Sequence, residues 1–458
     1  MQSYRSSSEE LCLGIIPRHV IVFGCGPTPH SDNLPVMAPG ARTWQIVHTV
    51  AHALGKECAQ SSAPPPRITV YGLESEARQD GHYTIEKYDC IIEYLPVTID
   101  DIRVIEQNKK PTGDAGDCVV GCASVQPCAS AAFYAEANRL PLWVDVFGDP
   151  LAEIQSKFEL DQLSVDANNN QHFHVWRLFL TALRQGDFFS GLSERQRYSL
   201  LGQLGCVGRL NRHTAQKDMV CTIPYGIIPE ECPCAIQPDE APSSTTIMWC
   251  GSFNTWMDEN TFTQGFMAAL KKEPRLKLMI VGGEIPHYND ISYQSSLAAF
   301  SDAITAERII SYDWQPLNNT RKLYSLCNAG LNVDRRTAEA VLGSRTRIVN
   351  FMASGLPVIS TIITELTEIL RERQLIIPFE AENPNSLCQA LVETARRNDL
   401  PTLGEKCREF VFEHFDTITL GKPLANWINH PVFAPDKFVE HESNDNALLS
   451  FWKERFLS

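Results

Sequence analysis

Short apolar runs, each followed by a stretch of helical period, recur along this chain in two series. The first comprises His19-Val-Ile-Val-Phe-Gly24, Arg67-Ile-Thr-Val-Tyr71, Asp89-Cys-Ile-Ile-Glu-Tyr94, Asp117-Cys-Val-Val-Gly121, Pro141-Leu-Trp-Val-Asp145 and Val220-Cys-Thr-Ile-Pro224. The second comprises Thr246–Cys250, Leu276–Val281, Arg308–Ser311, Ala329–Val333, Pro357–Ser360 and Leu375–Pro378. Runs of this length, rich in Val and Ile, read as strands buried on both faces. Their alternation with helices is how parallel sheets are built. Helical patterns fall at 41–55, 125–138 and 194–205, then at 261–272, 318–327, 347–354, 364–373, 385–398 and 403–415. Between the series, 228–244 is rich in Pro, Ser and acid and has no period, as a linker would be. The expectation is an α/β protein with domains at 1–227 and 245–420 facing each other across a cleft, a favoured place for small ligands. A tail over 421–458 carries Trp427, Phe433, Phe451, Trp452 and Phe456 and is expected to pack back on the lobes.

Composition narrows the function. With 458 residues, 43% of them hydrophobic, the chain has ample material for two cores. No run approaches the roughly 20 apolar residues of a membrane helix, so no integral membrane segment is expected. The opening MQSYRSSSEE lacks the apolar core of a signal peptide, which points to a cytoplasmic protein. A formal charge of −15 argues against nucleic acid as a partner, so any anion site must be local. The 15 cysteines are odd in number and scattered among strands and helices, as reduced, buried thiols are. Cys232-Pro-Cys234 and His172-Phe-His174 lack a second pair at ligand spacing, so no metal is expected.

The densest chemistry lies in Asn332-Val-Asp-Arg-Arg-Thr-Ala-Glu339-Ala-Val-Leu-Gly343-Ser344-Arg345-Thr-Arg347, running on to Asn350 and Gly355-Leu-Pro357. This is a strand–loop–helix–strand unit, and ligands in open α/β sheets bind at such loops. A helix start preceded by Gly343, Ser344, Arg345 and Arg347 suits an anion, because backbone N–H groups and guanidinium forks converge there. The Glu339 carboxylate suits sugar hydroxyls instead. Together they read as a site for a phosphorylated sugar, with Arg345 and Arg347 on a diphosphate and the 343–344 backbone assisting. The bland readings are solvated arginines and a helix-start carboxylate.

Other candidates face the same cleft. Gly251, Ser252, Asn254 and Trp256 follow a strand; Trp256 either stacks on a ring or plugs the lobe interface. Gly282-Gly283 lets backbone approach a ligand or simply turns the chain. In the first lobe, Gly24-Cys-Gly26 follows a strand, but the next helix starts only near 41, which rules out a dinucleotide fingerprint and a nicotinamide cofactor. The intervening Pro-rich loop is long enough to form part of an acceptor wall. Arg42, at the helix start, either binds an acceptor anion or is a surface arginine. In Trp143-Val-Asp145-Val-Phe-Gly148-Asp149-Pro150, Asp145 is the candidate for the proton of an attacking hydroxyl. Asp149 before Pro150 reads more simply as a helix cap.

These segments resemble, in order, the retaining glycosyltransferases of family 4 with the GT-B fold of two Rossmann-like domains. Pro39-Gly-Ala-Arg42-Thr43-Trp44 looks like that family's glycine-rich acceptor loop; Ser190-Gly-Leu-Ser193 with Arg197, and Thr222-Ile-Pro-Tyr-Gly226, look like elements closing its first lobe. Trp249-Cys-Gly-Ser252 resembles the start of the donor lobe, and Glu339 with Phe351-Met-Ala-Ser-Gly-Leu-Pro357 the E-x7-E block and its helix. The resemblance implies transfer of a hexose from a nucleotide sugar to a glycan, lipid-linked or small-molecule acceptor with retention, and no metal or cofactor. It implies a nucleobase near Trp314 and Gln315, after the third donor-lobe strand. It places Asn350 where the family has a ribose-binding glutamate. The family's basic pair after the donor-lobe glycine is missing from Gly251-Ser-Phe-Asn-Thr-Trp-Met-Asp-Glu259, and Arg345 and Arg347 are the replacements that the sequence offers. A sugar-nucleotide epimerase or coupling enzyme of the same fold, or a non-catalytic scaffold, is the competing reading.

Overall fold

The computed structural model describes residues 18–31, 34–58, 64–75, 81–110, 116–158, 165–232, 244–284 and 290–438. Strands β1 His19–Cys25, β2 Arg67–Leu73, β3 Tyr83–Lys87, β4 Cys90–Val97, β5 Cys118–Gly121, β6 Leu142–Asp145, β7 Phe188–Gly191 and β8 Val220–Thr222 form the first sheet. Its order is β3-β4-β2-β1-β5-β6-β7-β8, parallel except for the β3–β4 edge pair. Strands β9 Thr245–Cys250, β10 Leu276–Val281, β11 Ile309–Tyr312, β12 Ala329–Asn332, β13 Val358–Thr361 and β14 Ile376–Phe379 form the second, in the order β11-β10-β9-β12-β13-β14, all parallel. The central strands lie between helices, which is why Val20 to Phe23 are all buried and show no polar alternation.

In each sheet the chain runs outward one way from the first strand and then returns to build the other side. The switch points lie between β1 and β5 and between β9 and β12. Loops leaving two such strands diverge and open a crevice at the strands' C-terminal ends. Both crevices contribute to the same cleft.

Two strands escaped the sequence reading. Edge strand β3, Tyr-Thr-Ile-Glu-Lys, is half exposed, and β7 has only Phe188-Phe189 before its polar end. The cap read at Asp149 opens helix Pro150–Lys157, whereas helices Ile99–Gln107 and Val165–Gln185 were missed. The last is mostly polar, and only Trp176, Phe179, Leu180, Ala182 and Leu183 are buried along it. Among the described residues no helix is long and apolar enough to cross a membrane.

The chain returns to the first lobe after helix Leu400–His414. Ile227 pairs with Asp416, and helix Lys422–Asn429 lays Leu424, Trp427 and Ile428 against the first-lobe core. Trp427 meets Trp143 edge-on at 5.7 Å. Asp436 accepts from Arg209 Nε and Nη2 at 2.8 and 3.0 Å. Phe451, Trp452, Phe456, Cys234 and most of the linker lie outside the described residues. Trp427→Ala should cost about 3–5 kcal/mol, as emptied aromatic sites do, and should destabilise the first lobe specifically. Urea titration that resolves the two lobes checks this; an unchanged first-lobe transition would contradict it.

Candidate active site in the cleft between the lobes

A cavity of about 680 Å³ lies between the lobes, lined by the loops after β1, β5, β6, β9 and β12. On the second lobe its floor is built around one buried guanidinium. Arg345, 5% exposed, gives Nε to both Asp334 oxygens at 3.0 and 2.9 Å and gives Nη1 and Nη2 to the two Glu339 oxygens at 3.0 and 2.8 Å. Asp334 is itself fixed: its backbone N–H donates to Thr361 Oγ1, and Asn332 Nδ2 donates to its carboxylate. Thr337 caps the one-turn helix Ala338–Leu342 that carries Glu339. A side chain at Gly343 would sit 2.8 Å from the Glu339 carboxylate, so the chain needs glycine there to fold over it. Burial pushes the Glu339 carboxyl up to about 7, against the pull of Arg345. The two neighbouring carboxylates hold Arg345 firmly protonated.

Arg345 is therefore no free anion receptor, which corrects the sequence expectation. With both carboxylates ionised the cluster carries a net negative charge. Arg347 is placed differently. Its guanidinium stacks over Trp249 at 4.0 Å and gives Nη2 to the Ser252 carbonyl at 3.1 Å. Its Nη1 is buried with no hydrogen-bond partner among the described residues. A Cβ at Gly251, where φ is +115°, would lie 3.2 Å from Nη2, so glycine permits this approach. Burial lowers the Arg347 guanidinium to about 10, still a cation at neutral pH. Arg347 lies in the first turn of helix Thr346–Ala353, whose N-terminal end lines the cavity. Free N–H groups and a guanidinium thus converge on one spot.

Arg321 joins them. Helix Leu317–Tyr324 turns Leu317, Thr320, Arg321 and Tyr324 into the cavity. Their spacing of three and four residues is a readable helical stripe that the sequence reading passed over. Arg321 is half-buried and makes no hydrogen bond or ion pair among the described residues.

The remaining donor-side candidates divide. Gly251, Ser252, Asn254, Trp256, Trp314, Gln315, Gly343, Ser344 and Asn350 line the cavity. Ser252 donates to Asn254 Oδ1, and Trp256 lies 5.5 Å from the Arg345 guanidinium. Trp314 donates to the Glu284 carbonyl and lies against Gly282. Asn350 accepts from Tyr225 of the first lobe at 3.3 Å, a contact across the cleft. Gly283 does not line the cavity; its absent side chain makes room for the Tyr293 ring.

The first lobe corrects more. Arg42 and Asp145 are both fully buried and bind each other with two hydrogen bonds, at 2.9 and 2.6 Å. The other Arg42 N–H groups go to Gln45 Oε1 and to the Pro224 and Ile223 carbonyls, so all five donors are used. Ser190 donates to Asp145 at 2.7 Å. Neither residue reaches the cavity, so neither serves an acceptor in this arrangement. Thr43, also buried, accepts from the Cys25 backbone N–H. Gly26 packs under Tyr94 and Glu74. Asp149 caps helix Pro150–Lys157 and accepts from Ser199 and Gln203. Of the acceptor-side candidates, Gly148 alone lines the cavity, with φ at +85° and open space where a Cβ would be. Among the described residues no group of His, Cys, Asp and Glu could hold a metal ion.

Residues 244–397 match the family model described as Glycosyl transferases group 1. The chain is similar in structure to sucrose-phosphate synthase from Thermosynechococcus elongatus, at TM-score 0.62 and 12% identity over 89% of this chain and 98% of that one. It is similar to HepE of Anabaena, solved in complex with UDP and glucose, at TM-score 0.58 and 10% identity over 90% and 98%. A glycosyltransferase from Rickettsia africae matches at TM-score 0.54 and 12% identity over 90% and 98%. These likenesses show the fold, which is GT-B. No curated protein sequence matches the chain.

Because Arg42 and Asp145 are a buried pair, Asp145→Ala should lower folding stability by about 3–5 kcal/mol by stranding the guanidinium. Replacing both residues with leucine should recover part of the loss. Chemical denaturation of the single and double variants tests this; a fully stable but inactive Asp145→Ala would instead place Asp145 at the chemistry.

Proposed function

We propose that the chain is a retaining hexosyltransferase that moves a sugar from a nucleotide-sugar donor to an acceptor hydroxyl without a metal or cofactor. The observation that carries this is Arg347, a cation that lines the cleft at a helix N-terminus beside Gly251 and whose buried Nη1 has no hydrogen-bond partner among the described residues. The diphosphate belongs at Arg347, with Arg321 and the helix N–H groups sharing its charge. Glu339 takes sugar hydroxyls on lone pairs that Arg345 leaves open. Arg345 is a positioning residue, which orients Glu339 and touches no donor atom. Asn350, steadied by Tyr225, takes the ribose, and the base lies beside Trp314 and Gln315. The match over 244–397 to a glycosyltransferase family model supports a donor in this lobe. Departure of the diphosphate needs charge stabilisation more than a strong base, which fits a site with no free acid–base pair at its centre.

Nucleotide release from a panel of UDP-, GDP-, ADP- and TDP-sugars tests the reading, with UDP-glucose first. Arg347→Met should lower turnover about 10²–10³-fold, the usual effect of losing one preorganised charge-stabilising group, with little change in melting temperature. Arg345→Met should lose about 3–5 kcal/mol of stability by unpairing two buried carboxylates. Equal turnover in Arg347→Met and wild type would overturn the assignment.

The pH dependence has a definite sign. Below about pH 7 the Glu339 carboxyl is protonated and its grip on Arg345 weakens. Activity should therefore fall on acidification through about 7, and Glu339→Gln should lose that limb. Since folding raises this group's pKa, its contribution to stability runs the other way. It is greatest below the ordinary carboxylate pKa and declines as pH rises towards 7. Identical pH–rate limbs in wild type and Glu339→Gln would contradict this role.

A further inference from the structure

The two walls of the cleft differ in chemistry. The second-lobe wall carries Glu339, Arg347 and Arg321, whereas the first-lobe wall is built from Val36, Met37, Val125, Phe147, Ile154 and Val175. Five of these are half-buried, and Ile154 is 5% exposed. They come from the loops after β1 and β6, the start of helix Val125–Asn138, and helices Pro150–Lys157 and Val165–Gln185. An apolar strip of this kind is what a small-ligand site shows the part of its ligand that needs no hydrogen bonds.

Most of the polar side chains on that wall are already engaged; the exceptions are Ser124, which makes no side-chain cap bond, and Thr417 Oγ1, which has no hydrogen-bond partner among the described residues. Glu231 accepts from Lys87 Nζ at 2.8 Å and from Trp44 Nε1 at 3.3 Å. Gln45 takes Arg42 with its oxygen and gives its amide to the Pro224 carbonyl. The Tyr225 hydroxyl is directed to Asn350, and Glu153 and Lys157 each have a partner. Phe147 lies over Arg42, 5.7 Å from ring centroid to guanidinium, and roofs the buried Arg42–Asp145 pair. A free sugar or an oligosaccharide brings several hydroxyls, each of which loses water on entering and needs a partner. This wall has few to give.

We infer that the acceptor presents its hydroxyl on an apolar body, an alkyl chain or an aromatic ring, which lies against the Val36–Phe147–Val175 wall. The inference rests on the glycosyltransferase reading for the word acceptor; the apolar site itself does not.

The test is equilibrium binding of butyl, pentyl, hexyl and heptyl glucosides, all below micelle formation, with phenyl glucoside and glucose alongside. Burial of a methylene predicts a Kd that falls about fourfold per added CH₂ until the strip is filled. A steeper gain with alkyl than with phenyl assigns a lipid-like body, and the reverse an aryl one. Phe147→Asp should flatten the chain-length dependence, and Val175→Asp, on a separate helix, should do the same if the first variant fails to fold. A Kd independent of chain length, glucose binding as tightly as heptyl glucoside, or a dependence unchanged in both variants would overturn the inference. A nucleotide titration on the same samples keeps the readings apart: chain-length dependence without nucleotide binding would sink the transferase and leave the apolar site. Nucleotide binding without chain-length dependence would do the opposite.

Discussion

A guanidinium sealed from water needs its charge met inside the protein, and Arg345 meets that need with two carboxylates from one loop. Asp334 closes on it from the end of β12, and Glu339 from the helix that follows. The loop thereby folds into a single arrangement, since moving either acid would strand the other two charges in a medium where unpaired charge is very costly. The fold inherits two consequences. The Glu339 carboxylate is held at the mouth of the β9–β12 crevice. The next helix starts immediately beyond, which brings Arg347 over Trp249 and beside Gly251. The spent arginine sets the position of the available one.

The first lobe uses the same device at the same kind of place. Asp145 ends β6 and closes on Arg42 from the helix after β1, while Ser190 at the end of β7 steadies the carboxylate. One buried pair ties together two strand ends, the helix after β1 and the Ile223–Pro224 segment. In both lobes, then, arginine–carboxylate clusters sit under the cleft and fix its walls. Facing the cleft, the second-lobe wall presents Arg347 and Arg321 beside the Arg345–Glu339 pair, and the first-lobe wall is largely carbon. That division is the electrostatic support for proposing an anionic donor at the second lobe.

Much of the architecture was legible because it rests on hydrophobic period. Runs such as Val20–Phe23 and Leu276–Val281 can only be central strands, and the two-series spacing leaves little room besides two parallel sheets. Edge strand β3 and the helix Val165–Gln185 were hidden because their buried side chains are few and their polar faces dominate local composition. The site was legible by location but less so by role. Gly251, Trp256, Glu339, Arg345 and Arg347 all line the cleft, as their positions after strands imply. The sequence cannot say which arginine is consumed, because Asp334 and Glu339 lie nearby in the chain whether or not they turn inward. Asp145 and Arg42 are 103 residues apart, so their pairing was invisible, and each alone looked like a free functional group. Arg321 was readable from its helical stripe, yet a stripe of that kind normally faces a core.

The most direct measurement is a crystal structure of the protein with a nucleoside diphosphate bound. A β-phosphate oxygen should lie within hydrogen-bond distance of the Arg347 guanidinium, with Arg345 still clamped between Asp334 and Glu339. A structure in which Arg345 leaves those carboxylates to take the diphosphate, while Arg347 stays on Trp249 without touching it, would contradict this.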